Sequence, residues 1–172
     1  APLGLRNLVK VLYTKNHGFW KLGGIRRWLF WITSGVLQGC PLSGSLFVMA
    51  IDPLLVAFRR HLEKPGLAKV RACADDIGMA IRSLRSLTIV KFWMDKFGKV
   101  SGLQLKPPKC VIILLNVHAG VVNINAVRMW LEENCREWKN FKIVDKGKYL
   151  GVYLGPKAGS VQWDAAIKKF KD

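Results

Sequence analysis

Lys69-Val70-Arg71-Ala72-Cys73-Ala74-Asp75-Asp76-Ile77-Gly78-Met79-Ala80-Ile81 sets two adjacent acids inside a largely apolar run of a chain that is otherwise strongly basic. Small residues precede the acids and an apolar, strand-like run follows them. This arrangement predicts a hairpin across Lys69 to Ile81 with Asp75 and Asp76 near its tip. Such a tip can present a pair of carboxylates to a divalent ion, which takes oxygen ligands. The same pair also fits an ordinary Asp-Asp turn, because aspartate side chains hydrogen-bond their own backbone.

The rest of the chain narrows that choice. With 172 residues, 51% of them hydrophobic, there is enough material for one domain with a true core. Lys and Arg number 28 against 11 acids, a net charge of +17. That excess is the electrostatic footprint of a nucleic-acid binder, with an anionic membrane surface as the weaker alternative. No acid occurs before Asp52, whereas six basic residues do, so the N-terminal third is where phosphate should be met. The longest apolar runs, such as Leu46 to Ile51 and Val111 to Leu115, fall far short of the roughly 18 residues of a membrane span. With no signal peptide in view, an intracellular protein is expected. Cys40, Cys73, Cys110 and Cys135 form no C-x-x-C pair, and His17, His61 and His118 are scattered, so reduced thiols rather than a zinc site are expected.

Upstream of the acids, Leu5, Leu8, Val9 and Leu12 share one helical face behind Pro2. Gly23-Gly24 between Phe19 to Leu22 and Ile25 to Ile32 predicts a hairpin, since paired glycines supply the positive φ of a two-residue turn. Arg26, Arg27, Trp28 and Trp31 on its second arm suit either a grip on nucleic acid or, for the tryptophans, a core position, the latter being favoured. Ser34 to Phe47 contains Gly35, Gln38, Gly39, Pro41 and Ser43, too broken for helix or regular strand. It reads as a loop that lies against a flat substrate, Gln38 offering a donor and an acceptor, or as a simple helix-entry loop capped by Ser43 or Ser45. Pro53 should kink or restart the helix that follows, with Asp52 as cap.

Downstream, Lys64-Pro65-Gly66 turns the chain, and Ile89, Val90, Trp93, Met94, Phe97 and Val100 form a helical stripe ending at Ser101-Gly102. Cys110 to Leu115 is expected as a buried strand with Lys109 at its mouth. Asn125 to Trp138 is expected as a third helix, Phe141 to Val144 as a strand and Lys148 to Gly155 as a hairpin. Ser160 to Phe170 should form a last helix capped by Ser160.

Four of these segments, in order, resemble the reverse transcriptases of non-LTR retrotransposons. Ser34 to Phe47 resembles the G-V-x-Q-G-x-P-L-S-x-x-L-F block, and Ala74-Asp75-Asp76 the end of the catalytic Y/F-A-D-D turn. Ser101 to Leu105 with Lys109 resembles S-G-L-x-L-N-x-x-K, and Tyr149-Leu150-Gly151 the Y-L-G primer-grip hairpin. The resemblance implies an α+β, palm-like polymerase fold, an antiparallel sheet with helices packed on one face. Residues 1–145 would be partial fingers and palm, and 146–172 the primer-grip hairpin and the start of the thumb. It implies two-metal phosphoryl transfer with Mg2+, in which Asp75 is the principal ligand and Asp76 its supporting carboxylate. Gly35, Gln38, Gly39, Pro41 and Ser43 would meet template and incoming deoxynucleotide. Tyr149, Leu150 and Gly151 would steer the DNA primer on an RNA template. Lys109 would stand at the pyrophosphate, or else be a solvated surface lysine.

Departures from the pattern shape the expectation. The family's first acidic strand should lie upstream of the Pro2 to Lys15 helix, yet no acid precedes Asp52. Cys73, Leu37 and Lys106 stand where an aromatic, an arginine and an asparagine are usual. The chain is therefore expected to be truncated on its N-terminal side, part of a longer polyprotein and inactive by itself. A diverged non-catalytic nucleic-acid-binding module, or a decayed remnant, is the alternative.

Overall fold

The computed structural model describes residues 2–33, 35–116 and 120–159, together with Trp163, Ile167, Lys168 and Phe170. The fold is α+β. In chain order it comprises α1 (Leu3–Tyr13), β1 (His17–Leu22), β2 (Ile25–Trp31), α2 (Ser43–Phe58), β3 (Ala68–Cys73), β4 (Asp76–Ile81), α3 (Ser86–Ser101), β5 (Val111–Ile113), α4 (Val121–Asn134), β6 (Lys142–Val144), β7 (Gly147–Tyr149) and β8 (Val152–Leu154). Two compact units divide the chain, residues 1–49 and 50–172, and the division falls within α2.

In the first unit, β1 and β2 pair antiparallel around Gly23 and Gly24, whose φ angles of 56° and 83° are those of the predicted turn. Trp28 and Trp31 are not core residues: they are 53% and 55% exposed, and every residue of β2 is exposed. The core expectation for the tryptophans fails because a two-stranded ribbon has no second layer of its own to cover either face.

The second unit holds the core. Phe58 and Leu62, from the end of α2 and the π-helical turn that continues it (Arg59–Glu63), are fully enclosed, as is Leu131 of α4. Val70 of β3 and Val90 of α3 are buried as well. Burial of each large side chain contributes about 1.5–3 kcal/mol. The α3 stripe is only partly used, since Val90 is buried but Val100 is 90% exposed. Gly102 at φ 73° ends α3, its N–H bonded to the Gly98 carbonyl, as the Ser101-Gly102 pair predicts.

Several expectations need correction. Pro53 does not restart the helix: α2 runs from Ser43 to Phe58 with the proline inside it. The proline removes one N–H from the ladder, but Ile51, Leu54, Ala57 and Phe58 bury on one side of it, and that packing outweighs the missing bond. Asp52 is accordingly an exposed mid-helix residue and not a cap. Strand β5 is three residues long and half-exposed rather than a buried run to Leu115. Among the described residues the strands form four two-stranded sheets rather than one, and the β5–β6 pair is parallel, Val111 opposite Lys142 and Ile113 opposite Val144. That pair is parallel because α4 carries the chain back between its strands. Helix α4 begins at Val121, four residues before the expected Asn125, and gives way to a 3-10 turn at Arg136–Trp138. Of the expected last helix, Ser160 and Ala166 lie outside the described residues. No helix among the described residues is long and apolar enough to cross a membrane.

Candidate functional site

Strands β3 and β4 pair in register from Ala68 opposite Ile81 to Cys73 opposite Asp76, which leaves Ala74 and Asp75 as a two-residue turn. Ala74 has φ 50° while Asp75 does not enter the positive range, the sign pattern of a type II′ turn, where glycine is the usual first residue. Asp75 is thus the apex and Asp76 the first residue of β4, and both side chains are exposed. Neither carboxylate takes part in an ion pair among the described residues. The two neighbouring carboxylates thus stand exposed and side by side at the end of the hairpin, on a chain of net charge +17.

The cation nearest in sequence points elsewhere. Arg71 turns its guanidinium back to the Val70 carbonyl (2.7 Å) and to Glu63 Oε1 (3.4 Å). Glu63 also accepts the Val70 N–H at 2.9 Å, pinning the start of β3 to the π-helical turn. The Val70 N–H, followed by the charges of Arg71, Lys69 and Arg59, holds the Glu63 carboxyl below its ordinary value. A depressed folded-state pKa adds stability that is present above the unfolded value, about 4.3, and is lost as pH falls through the folded one. Glu63→Gln keeps an acceptor for Val70 but has no charge to titrate. Its urea midpoint is therefore expected to fall less than that of the parent chain between pH 5 and the acid limit. Parallel curves would show that Glu63 makes no such contribution.

Behind the acid-bearing turn the structure joins two segments more than 70 residues apart in sequence. The ring of Tyr149, last residue of β7, lies on Gly78 of β4, where an added Cβ would meet Tyr149 Cζ at 2.9 Å. The Tyr149 hydroxyl donates to the carbonyl of Arg71, the residue opposite Gly78, at a long 3.4 Å. Leu150 (φ 47°) and Gly151 (φ 89°) make the turn from β7 to β8. Strand β7 is seated in turn on β5: Ile113 Cδ1 and Val111 Cγ1 would stand 3.0 and 3.3 Å from a Cβ on Gly147. Lys109 ends the 3-10 turn Pro107–Lys109, two residues before β5, with its side chain exposed. The hairpin with Asp75 and Asp76, the Tyr149 to Gly151 turn and the strand that follows Lys109 are thereby linked by direct packing.

The glycine loop belongs to the first unit and has a defined shape. The Cys40 N–H reaches the Leu37 carbonyl at 3.2 Å, with Gly39 at φ 86°, a turn whose third residue needs positive φ. Ser43 is not a helix cap. Its hydroxyl donates to the same Leu37 carbonyl at 2.6 Å, and since a hydroxyl has one proton, Tyr13 of α1 donates to Ser43 Oγ at 2.9 Å. The loop is therefore held from below while Gln38, Gly39 and Pro41 stay exposed, and Gly35 is exposed at φ 86°. The neighbouring Tyr13 hydroxyl, followed by the Leu42 backbone, holds the Cys40 thiol below its ordinary value, whereas burial pushes Cys110 and Cys135 up.

Gly78, Glu63 and Tyr13 were not expected from the sequence. An isolated glycine within an apolar strand signals a close approach by another group, and Gly78 carries that signal. Nothing local marks the other two.

With this geometry in place, the family assignment is direct. Residues 11–154 match the model of the reverse transcriptase (RNA-dependent DNA polymerase) family, and the chain belongs to that family. It is also similar to a Xenopus laevis protein described as the transposon TX1 uncharacterized 149 kDa protein, with 31% identity over 128 residues. That match covers 70% of the chain but 9% of the Xenopus protein, so the chain spans a small part of that relative's length. No solved structure matches the chain.

The divalent ions used by this family can be tested against the donors present. Asp75 and Asp76 supply two adjacent carboxylates, and no group of three or more His, Cys, Asp or Glu residues among those described could hold a metal ion. A pair of divalent ions needs further oxygen ligands to fix its geometry. The described residues do not by themselves fit two ions.

Proposed function

We propose that the chain is palm material of a retrotransposon reverse transcriptase, made for RNA-templated DNA synthesis and inactive by itself. The observation that carries this reading is the packing of Tyr149 on Gly78 directly behind the Asp75–Asp76 turn. It makes one body of the family's acid turn and its primer-grip turn. In this reading Asp75 and Asp76 would be the catalytic carboxylates that hold magnesium, and a further carboxylate from outside the described residues would be needed to fix two ions. Tyr149, Leu150 and Gly151 hold the primer end. Lys109 meets the phosphate charge that develops on the leaving group, as a point-charge partner. Gly35, Gln38, Gly39, Pro41 and Ser43 form the bed for template and incoming nucleotide. Residues 1–145 then serve as partial fingers and palm and 146–172 as primer grip and the start of a thumb, within a longer polyprotein.

Primer extension on an RNA template with deoxynucleotides and magnesium tests the proposal. The chain alone is expected to give no extension. The same chain fused behind the acid-bearing strand of a complete family member is expected to extend, and Asp75→Asn in the fusion to stop it. A fusion that folds and binds primer-template but never extends would leave only a nucleic-acid-binding module.

A further inference from the structure

The β1–β2 hairpin sorts its residues onto two faces. Phe19 lies opposite Trp28 and Lys21 opposite Arg26. An irregularity between Gly18 and Phe19 resets the register so that His17 lies opposite Trp31. Directly opposed residues share a face and alternate residues return to it. One face therefore carries His17, Phe19, Trp28 and Trp31 with Lys21 and Arg26 at the turn end. The rings confirm this sorting: His17 is edge-on to Phe19 at 4.4 Å and to Trp31 at 5.3 Å, and Trp28 is edge-on to Trp31 at 6.1 Å. In each of these T-shaped contacts the edge of one ring meets a face of the other, which leaves the rest of the ring surface accessible: Phe19, Trp28 and Trp31 are each half-exposed or more.

We infer that this face is a stacking platform for single-stranded nucleic acid, built from residues other than those of the Asp75–Asp76 turn. Charge complementarity selects the occupant. The face pairs its rings with Lys21 and Arg26, and the chain has no acid before Asp52, so a polyanion with flat, stackable groups meets both features at once. An apolar protein partner would leave the two cations unpaired. Stacking is indifferent to base identity, because every base has a π-face, and the cations track the backbone. The inference deepens the polymerase reading by naming a subsite for the unpaired strand. It rests on that reading only for why such a strand is at hand.

The test uses the full chain and fluorescein-labelled 12-mers of U, dT and a 12-base-pair DNA duplex, in EDTA and without deoxynucleotides. Binding is read by anisotropy across a range of salt. Trp28→Ala and Trp31→Ala are expected to weaken the single strands by about 5- to 100-fold each, and the duplex much less. Trp28→Phe and Trp31→Phe should bind like the parent chain, which separates stacking from misfolding. Lys21→Gln with Arg26→Gln should flatten the log–log salt slope by about two. Alanine variants that bind single strands like the parent overturn the inference. So does equal weakening of duplex and single strand, or an effect confined to sedimentation, which would mean that a second copy of the chain covers the face. Failure of primer extension leaves this assay readable, since it needs neither metal nor nucleotide.

Discussion

Gly155→Ala is expected to lower stability by roughly 3 to 4 kcal/mol, read as a shift of the urea unfolding midpoint. Gly155 follows β8 with φ 123°, where side-chain-bearing residues rarely go. A Cβ there would overlap the Asp145 carbonyl oxygen and stand 2.9 Å from Ile113 Cγ2. Asp145 cannot give way freely, because its side chain is 13% exposed and paired with Lys157 at 3.0 Å. Gly151 is the control. It also has positive φ, at 89°, but open space around the missing side chain, so Gly151→Ala should cost only about 1–2 kcal/mol. Equal losses at the two positions would mean that backbone handedness alone matters and that the Asp145 contact does not.

Gly78→Ala should have the next largest effect, about 1–3 kcal/mol of stability, together with a raised KM for primer in the fused polymerase. The added methyl would meet the Tyr149 ring at 2.9 to 3.3 Å, which forces the ring off β4 and breaks its hydroxyl bond to the Arg71 carbonyl. The two sites should be coupled. With Tyr149→Ala already in place there is no ring to displace, and Gly78→Ala should then cost close to nothing. A cost unchanged by the Tyr149 substitution would show that the two hairpins are not joined in this way.

Features with local causes were legible in the sequence. Gly23-Gly24 marks a two-residue turn, and the hairpins expected across Lys69 to Ile81 and Lys148 to Gly155 form as well. Gly102 ends α3 where expected. The features that were missed have distant causes. Continuation of α2 through Pro53 depends on what Leu54 and Phe58 pack against, not on the proline. The parallel pairing of Val111–Ile113 with Lys142–Val144 joins segments separated by a whole helix, so neither strand announces its partner. Exposure of Trp28 and Trp31 follows from the hairpin standing as a two-stranded ribbon, a matter of sheet topology that the residues of the hairpin do not encode.

Of the candidate site, the acid turn and the Tyr149 to Gly151 turn were readable as separate motifs. The contact between them is a property of Gly78, and a single glycine in an apolar run says that something approaches without saying what. The loop from Gly35 to Ser43 was readable as a loop. Its support by Tyr13, 30 residues from Ser43, was not.

Division of the strands into four separate pairs bears on the protein's colloidal behaviour. Each strand of a two-stranded sheet turns one row of N–H and C=O groups away from its partner, a template on which a neighbouring chain can add wherever side chains do not take them, as Glu63 and Arg71 take those of Val70 in β3. Lys21, Arg26, Arg27, Lys69, Arg71, Lys142 and Lys148 place a positive charge on β1, β2, β3, β6 and β7, whereas Ile77–Ile81 of β4, Val111–Ile113 and Val152–Leu154 have none. Mutual repulsion between molecules of charge +17 opposes contact along those three rims. Added salt screens the repulsion and leaves the rims as they were, so concentrated stocks should cloud as ionic strength rises, beginning at β4, β5 and β8.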